Sequence, residues 1–175
     1  MLALRTGGHK DLQRCYSMME IDFDSEELFS RLTIHKALLR GKAELLIFYD
    51  EESKLELGYA LVITKNVYGY VLLKYFGIYP WYRNHGMGIE AMRLMNKRYA
   101  ETSGIMAEIT EFEDPEENHV KKLLKFFSRF GYEPVDIDHS IALVKANVMV
   151  KPMKSRTAID RAARRILADF YGRIV

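Results

Sequence analysis

A mixed, largely antiparallel sheet of the α+β type is the fold class that this sequence predicts, and three observations carry the prediction. Three β-rich runs, Ala43 to Tyr49, Leu55 to Thr64 and Tyr70 to Tyr79, follow one another with only the turn signals Asp50-Glu51-Glu52-Ser53 and Lys65-Asn66 between them, which is the pattern of an antiparallel meander. The third run passes through Pro80 and Arg83 into Gly86-Met87-Gly88, where a helical pattern begins. A further β-rich run, Ile105 to Phe112, follows that helix. A crossover from strand through helix to strand requires a parallel pair, so the sheet is mixed, with helices on both faces.

The elements can be justified in order. Leu2 to Arg5 makes a short first strand, and Lys10 to Met19 carries Leu12, Cys15, Tyr16 and Met19 at helical spacing. Asp24 precedes Glu27 as in a capping box, Leu28, Phe29, Leu32 and Leu39 form an apolar face, and Gly41 stops that second helix. After the meander, Gly86 to Thr102 places Ile89, Met92, Met95 and Tyr99 on one face and ends near Gly104. Pro115 marks the start of another helix, with Val120, Leu123, Leu124, Phe127 and Phe130 on one face and Gly131 at its end. Glu133 to Ile137 and Ser140 to Lys145 then close a sheet of six to seven strands.

Beyond Ala146 the texture changes, and Lys151-Pro152-Met153-Lys154 leads into a basic tail. From Ser155 to Tyr171 this tail sets Ile159, Ala163, Ile166, Leu167 and Phe170 on one face, with Arg156, Arg161, Arg164 and Arg165 mostly elsewhere. The expected organisation is one domain over residues 1–153 with an amphipathic helix, 154–175, appended to it. The apolar stripe of that helix packs either on its own subunit or on a second copy in a homodimer.

With 175 residues, 49% of them hydrophobic and 29% charged, the chain suffices for one sizeable core. A net charge of +2 gives no reason to expect nucleic acid. The lone Cys15 excludes an internal disulfide and suits a reducing compartment. No run approaches about 18 apolar residues and the N-terminus has no signal-peptide core, so a cytoplasmic protein without membrane contact is expected. Neither zinc-like Cys/His spacing nor a Ser-His-Asp nucleophile motif occurs, and no metal is expected.

The segment from Val71 to Glu90 is suited to a phosphorylated ligand. Two glycines let the backbone approach a diphosphate, the following helix aims unpaired N–H groups at it, Arg83 adds charge and His85 offers a second donor. The Gly-Lys-Ser/Thr ending of a P-loop is absent. Gly86-Met87-Gly88-Ile89-Glu90-Ala91 does match a dinucleotide fingerprint, with Glu108 at about the distance of a ribose-binding acid. Against that reading, residues 80–85 intervene between strand and glycines, and the preceding strands form a meander.

The pattern Arg83-x-x-Gly86-x-Gly88, preceded by Ile78, Pro80 and Tyr82, resembles the acetyl-CoA signature of the GCN5-related N-acetyltransferases (GNAT). A second family-like stretch, Phe126 to Tyr132, follows about 40 residues later, and the resemblance extends over roughly residues 1–150. It implies the acyl-CoA N-acyltransferase fold, acetyl-CoA as cofactor, and acetyl transfer to a primary amine of a small molecule or peptide by direct attack. Arg83, Asn84, His85, Gly86, Met87, Gly88 and Ile89 would then hold the diphosphate, while Ile78 and Tyr79 pair with the pantetheine arm and offer an oxyanion donor. Asn118 is a further candidate cofactor contact.

Glu108 is the candidate base, because a carboxylate in a strand covered on both faces must be paired or used. Many members of the resembled family carry a tyrosine acid where this chain has Phe127, which leaves the thiolate to take its proton from solvent or from Tyr132, Tyr79 or Tyr75, with Tyr132 the candidate. The third-strand acid of some family members is also absent. A catalytically silent acyl-CoA-binding module is therefore the second reading.

Overall fold

The computed structural model describes residues 1–64, 68–110, 118–135, 146–153, 159, 161–165 and 168. Its elements run β1 (Leu2–Thr6), α1 (His9–Asp22), α2 (Arg31–Leu39), β2 (Ala43–Asp50), β3 (Glu56–Ile63), β4 (Tyr70–Ile78), a 3-10 turn (Pro80–Tyr82), α3 (Met87–Arg98), β5 (Gly104–Thr110), α4 (Asn118–Ser128), β6 (Glu133–Val135) and β7 (Ala146–Pro152). The seven strands lie in the order β1-β2-β3-β4-β5-β7-β6. The contacts divide the chain into two compact units, Met1–Lys65 with Leu73–Arg98, and Asn66–Leu72 with Tyr99–Val175.

In the first unit, β1 runs antiparallel to β2 from Leu2 opposite Asp50 to Thr6 opposite Leu46. The β2–β3 pair is also antiparallel, with Ala43 opposite Ile63 and an irregularity between Phe48 and Tyr49. Leu45 to Phe48 and Tyr59 to Val62 are continuous buried runs, as expected of strands covered on both faces. Helix α1 buries Leu12, Cys15 and Met19, the stripe that its periodicity predicts.

Helix α2 departs from the expected start. Asp24 closes only a turn, its carbonyl accepting from Glu27 N and Leu28 N at 3.0 and 2.9 Å. The helix begins at Arg31, where Ser30 Oγ accepts from Thr33 N at 3.2 Å. Starting there, it buries Ile34 and Ala37, and leaves Leu32 and Leu39 60% and 74% exposed. The cap sets the phase of the helix, and Leu32 and Leu39, a residue spacing of seven, share its outer side.

Arg5, Asp11, Arg14 and Glu56 tie β1, α1 and β3 together. Arg5 grips Asp11 through two bonds of 2.9 Å and reaches Glu56 at 2.7 Å, while Arg14 meets Asp11 at 2.5 Å and Glu56 at 2.8 Å. The Arg5 hydrogen bonds, and then the Gly8 amide, hold the Asp11 carboxyl well below the usual carboxylate range. A depressed folded pKa means that the unfolded chain binds the proton first as pH falls. The stabilisation from Asp11 is therefore complete at neutral pH and drains away below about pH 4. Chemical denaturation from pH 7 to 2.5 should show this loss, and Asp11→Asn should flatten that part of the profile; an unchanged slope would remove the network from the acid response.

In the second unit, β5 pairs antiparallel with β7 from Gly104 opposite Pro152 to Thr110 opposite Ala146, and β6 pairs with β7 from Glu133 opposite Val150 to Val135 opposite Val148. The last described strand therefore lies just beyond the Ser140 to Lys145 run that the sequence suggests. Val148, Met149 and Val150 are buried in it, and Pro152 is tolerated as its last residue. Residues 140–145, Pro115, Glu111 and Glu113 lie outside the described residues. In the tail, residues 159, 161–165 and 168 are helical, Ala162 and Ala163 are buried by the chain itself, and Arg161, Arg164 and Arg165 are exposed.

Candidate functional site

The site begins where β4 ends. Tyr79 N donates to Leu57 O at 2.9 Å, prolonging the pairing with β3 by one residue, and Pro80 then opens a 3-10 turn closed by Tyr82 N on Tyr79 O at 2.9 Å. Two left-handed residues follow, Asn84 at φ 64° and Gly86 at φ 77°. Asparagine tolerates that region and glycine adopts it without strain. Ile89 N and Glu90 N donate to Gly86 O at 3.0 and 3.3 Å, so Gly86 caps α3. Met87 and Gly88 head the helix, where amides have no carbonyl one turn back.

This turn faces outward. Residues 83–86 are exposed, Met87 and Gly88 half-buried, and a Cβ built on Gly86 would meet open space within 4 Å. The head of this 12-residue helix, with its unpaired amides and positive dipole end, is chemically suited to an anion such as a diphosphate. Glu90, the acid in the first turn, is neutralised by an ion pair with Arg93.

Arg83 is placed differently from the expectation of a charge held out toward phosphate. Its Nε donates to Ile78 O at 2.7 Å and its terminal nitrogen pairs with Asp22 at the end of α1. The Asp22 side chain is only 10% exposed and also accepts from Tyr59 Oη at 2.8 Å. Burial, and then the Asp22 charge, push the Tyr59 phenol far above its ordinary range, so it remains a donor. Space for this group depends on Gly77, where a Cβ would come within 2.6 Å of Asp22 Oδ2 and 2.7 Å of Tyr59 Oη. Asp22 and Tyr59 were not foreseen as part of the site. The glycines inside the β3 and β4 runs, Gly58 and Gly77, carry the signal, since glycine within a strand marks a close approach.

Of the remaining first-unit candidates, three are buried side chains. Ile78 and Tyr79 are buried at the strand end, and the Tyr79 amide, already donating to Leu57, does not serve as an oxyanion donor in this state. Tyr79 Oη lies 3.8 Å from Cys15 Sγ. Burial pushes the Cys15 thiol up to about 11, the behaviour of a core thiol and not of an acyl-carrying nucleophile. His85 Nδ1 lies 2.6 Å from Arg83 O and so braces the turn from within. Trp81 is exposed, its ring 5.7 Å from that of Tyr79 and 6.2 Å from that of Tyr82.

Three candidates sit on separate elements of the second unit. Glu108 is half-buried on β5, opposite Val148, between the buried Ala107 and Ile109. Asn118 opens α4. Tyr132 is buried, its ring 5.1 Å from Phe127, and burial pushes its phenol up so that it keeps its proton. Among the described residues, no three His, Cys, Asp or Glu side chains cluster as a metal site would need, and no helix is long and apolar enough to cross a membrane.

No protein-family model and no curated protein matches the sequence. Solved structures do match the fold. A Bacteroides thetaiotaomicron protein described as a GNAT-family acetyltransferase superposes with a TM-score of 0.77 at 15% identity, covering 97% of each chain. The SpeG spermidine N-acetyltransferase of Vibrio cholerae superposes at 0.65 with 12% identity, over 87% of this chain and 94% of its own. NAA60 of Arabidopsis thaliana, solved in complex with acetyl-CoA, superposes at 0.67 with 12% identity, over 89% of this chain and all of its own. The chain therefore has the GNAT acyltransferase fold.

Proposed function

We propose that this chain is a cytoplasmic, acetyl-CoA-dependent N-acetyltransferase acting on a primary amine of a small molecule or peptide. The observation that carries the reading is the outward-facing turn from Arg83 to Gly88, open above Gly86 and heading α3, set at the end of β4 in a fold shared with acetyltransferases. Acetyl-CoA, when bound, supplies the activated thioester. The amides of residues 84–88 hold its diphosphate, the Ile78 and Tyr79 backbone orients the arm, and Arg83 fixes the turn by bridging Ile78 O and Asp22; the Ile89 amide is taken by Gly86 O. Asn118, at the start of α4, is kept as a further contact.

Direct attack requires a neutral amine. A lysine-like amine with a pKa near 10.4 must lose a proton at neutral pH, which assigns Glu108 the part of general base, directly or through water. Tyr132, protonated and buried, is assigned the return of a proton to the departing thiolate. The burial of Tyr132 beside Phe127 also favours the second reading, an acyl-CoA-binding module without turnover.

Two measurements separate the readings. Acetyl-CoA should raise the melting temperature, and an amine panel should give amine-dependent release of CoA thiol. Binding without release across the panel supports the module, and stabilisation by NAD in place of acetyl-CoA returns the dinucleotide reading. In the active protein, Glu108→Gln should lower turnover by roughly 10²-fold or more with acetyl-CoA affinity intact, the deficit shrinking at high pH where the amine deprotonates unaided. Normal turnover in a folded Glu108→Gln protein would make Glu108 incidental.

A further inference from the structure

A second concave surface lies away from the glycine turn, on the first unit. Helices α1 and α2 enclose an open groove of about 390 Å³, lined by His9, Leu12, Gln13, Arg31, Leu32 and His35. Among the described residues no carboxylate lines it. Helix α2 carries no acid at all, and Lys10 and Lys36 flank the two histidines in sequence. On α1, Asp11 is committed to Arg5 and Arg14, Asp22 to Arg83 and Tyr59, and Glu20 lies two turns beyond Gln13. On β2, which packs under α2, Glu44 pairs with Arg98 and Asp50 with the N-terminal amine. Among the described residues Arg31 makes no ion pair.

The histidines form a contact that no core packing demands. His9 Nδ1 and His35 Nδ1 are 3.2 Å apart, with ring centroids 4.6 Å apart and planes tilted by 59°. At that distance one ring donates and the other accepts. The accepting ring then carries its own N–H at Nε2, a donor outside the pair. Together with the Arg31 guanidinium this sets N–H donors beside two apolar side chains of the same lining, the buried Leu12 and the exposed Leu32.

From this geometry we propose that the α1–α2 groove is a binding site for a phosphomonoester carried on an apolar body. A phosphate monoester brings close to two negative charges near neutral pH and three acceptor oxygens, which answer the Arg31 charge and the N–H donors of the guanidinium and the His pair. The 3.2 Å separation is also what two imidazoles need to share one divalent cation, since Zn–N bonds of about 2.0–2.1 Å at a near-tetrahedral angle span a similar distance. Among the described residues, an Arg31 without an ion pair and a lining without an acid decide for the anion.

The test reads the site locally, because phosphate probes also meet the glycine turn. The ring signals of His9 and His35 are followed by NMR in the full chain while inorganic phosphate, phenyl phosphate or zinc is titrated. Phenyl phosphate should shift both rings and bind about fivefold tighter than inorganic phosphate, through burial against Leu32. Arg31→Ala should weaken phenyl phosphate by about tenfold, and Leu32→Ser should abolish its advantage over inorganic phosphate. Both substituted side chains are exposed, so the fold is retained. Silent histidine signals with both phosphates overturn the proposal. So does a response to zinc alone that strengthens in Arg31→Ala, which would make the pair a metal chelate.

Discussion

Gly58→Val is expected to destabilise the protein by about 3 kcal/mol or more, the upper range for overpacking, because the obstacle is main chain. A Cβ at residue 58 would lie 2.4 Å from Gly77 O and 3.2 Å from Ile78 Cα, as well as 2.9 Å from Ile78 Cδ1. The last of these can rotate away, but the first two are the backbone of β4 at the residues that lead into the glycine turn. Relief means prising β3 from β4, and with it the bond from Tyr79 N to Leu57 O. The urea midpoint should therefore fall sharply, and the surviving folded protein should bind acetyl-CoA more weakly, since the strand end beside the cofactor arm has moved. Gly8→Ala is the control: its Cβ meets nothing nearer than Asp11 Oδ2 at 3.9 Å, and the cost should stay within about 1 kcal/mol. A native midpoint for Gly58→Val would show that the two strands do not approach as described.

The same pair of glycines shows what the sequence carried and what it did not. The meander was legible because alternation and β-branched content are local, and the glycine turn was legible because its two special positions, Asn84 and Gly86, need residue types that stand out in a string. The phase of α2 was not, because the run from Leu28 to Leu39 satisfies a helical period from several starting points and only the Ser30 bond to Thr33 selects one. The strand at Ala146–Pro152 was not read for a related reason. Asn147 to Lys151 is a short β-rich run that reads equally as the approach to a basic tail, and its pairing with β5 is a contact across some 40 residues. Nor could the partner of Arg83 be read. Asp22 lies 61 residues away, and nothing in an acid at the end of a helix says which arginine it will meet. Local rules place residues on elements, whereas ion pairs between elements are decided by packing.

That partner changes what removing Arg83 should do. A solvent-facing phosphate contact would cost affinity alone, but here the guanidinium also covers Ile78 O and balances a carboxylate that is nine-tenths buried. Arg83→Ala leaves Asp22 with the Tyr59 hydroxyl and without its counter-charge, a desolvated anion that should cost about 1–3 kcal/mol of stability. It also frees the turn from the end of β4, so acetyl-CoA binding should weaken by a further 1.5–3 kcal/mol or so. The two effects can be pulled apart with Asp22→Asn. In the Arg83→Ala background this second change removes the stranded charge while keeping a side chain that can accept from Tyr59, so stability should recover in large part. Affinity should not, because the turn is still untethered and its positive charge still missing. Calorimetric titration beside urea unfolding of the two single variants and the double variant measures both terms. Recovery of affinity along with stability would mean that Arg83 serves the fold alone and that the helix-start amides hold the diphosphate unaided. Full affinity in Arg83→Ala itself would remove the side chain from the cofactor site altogether.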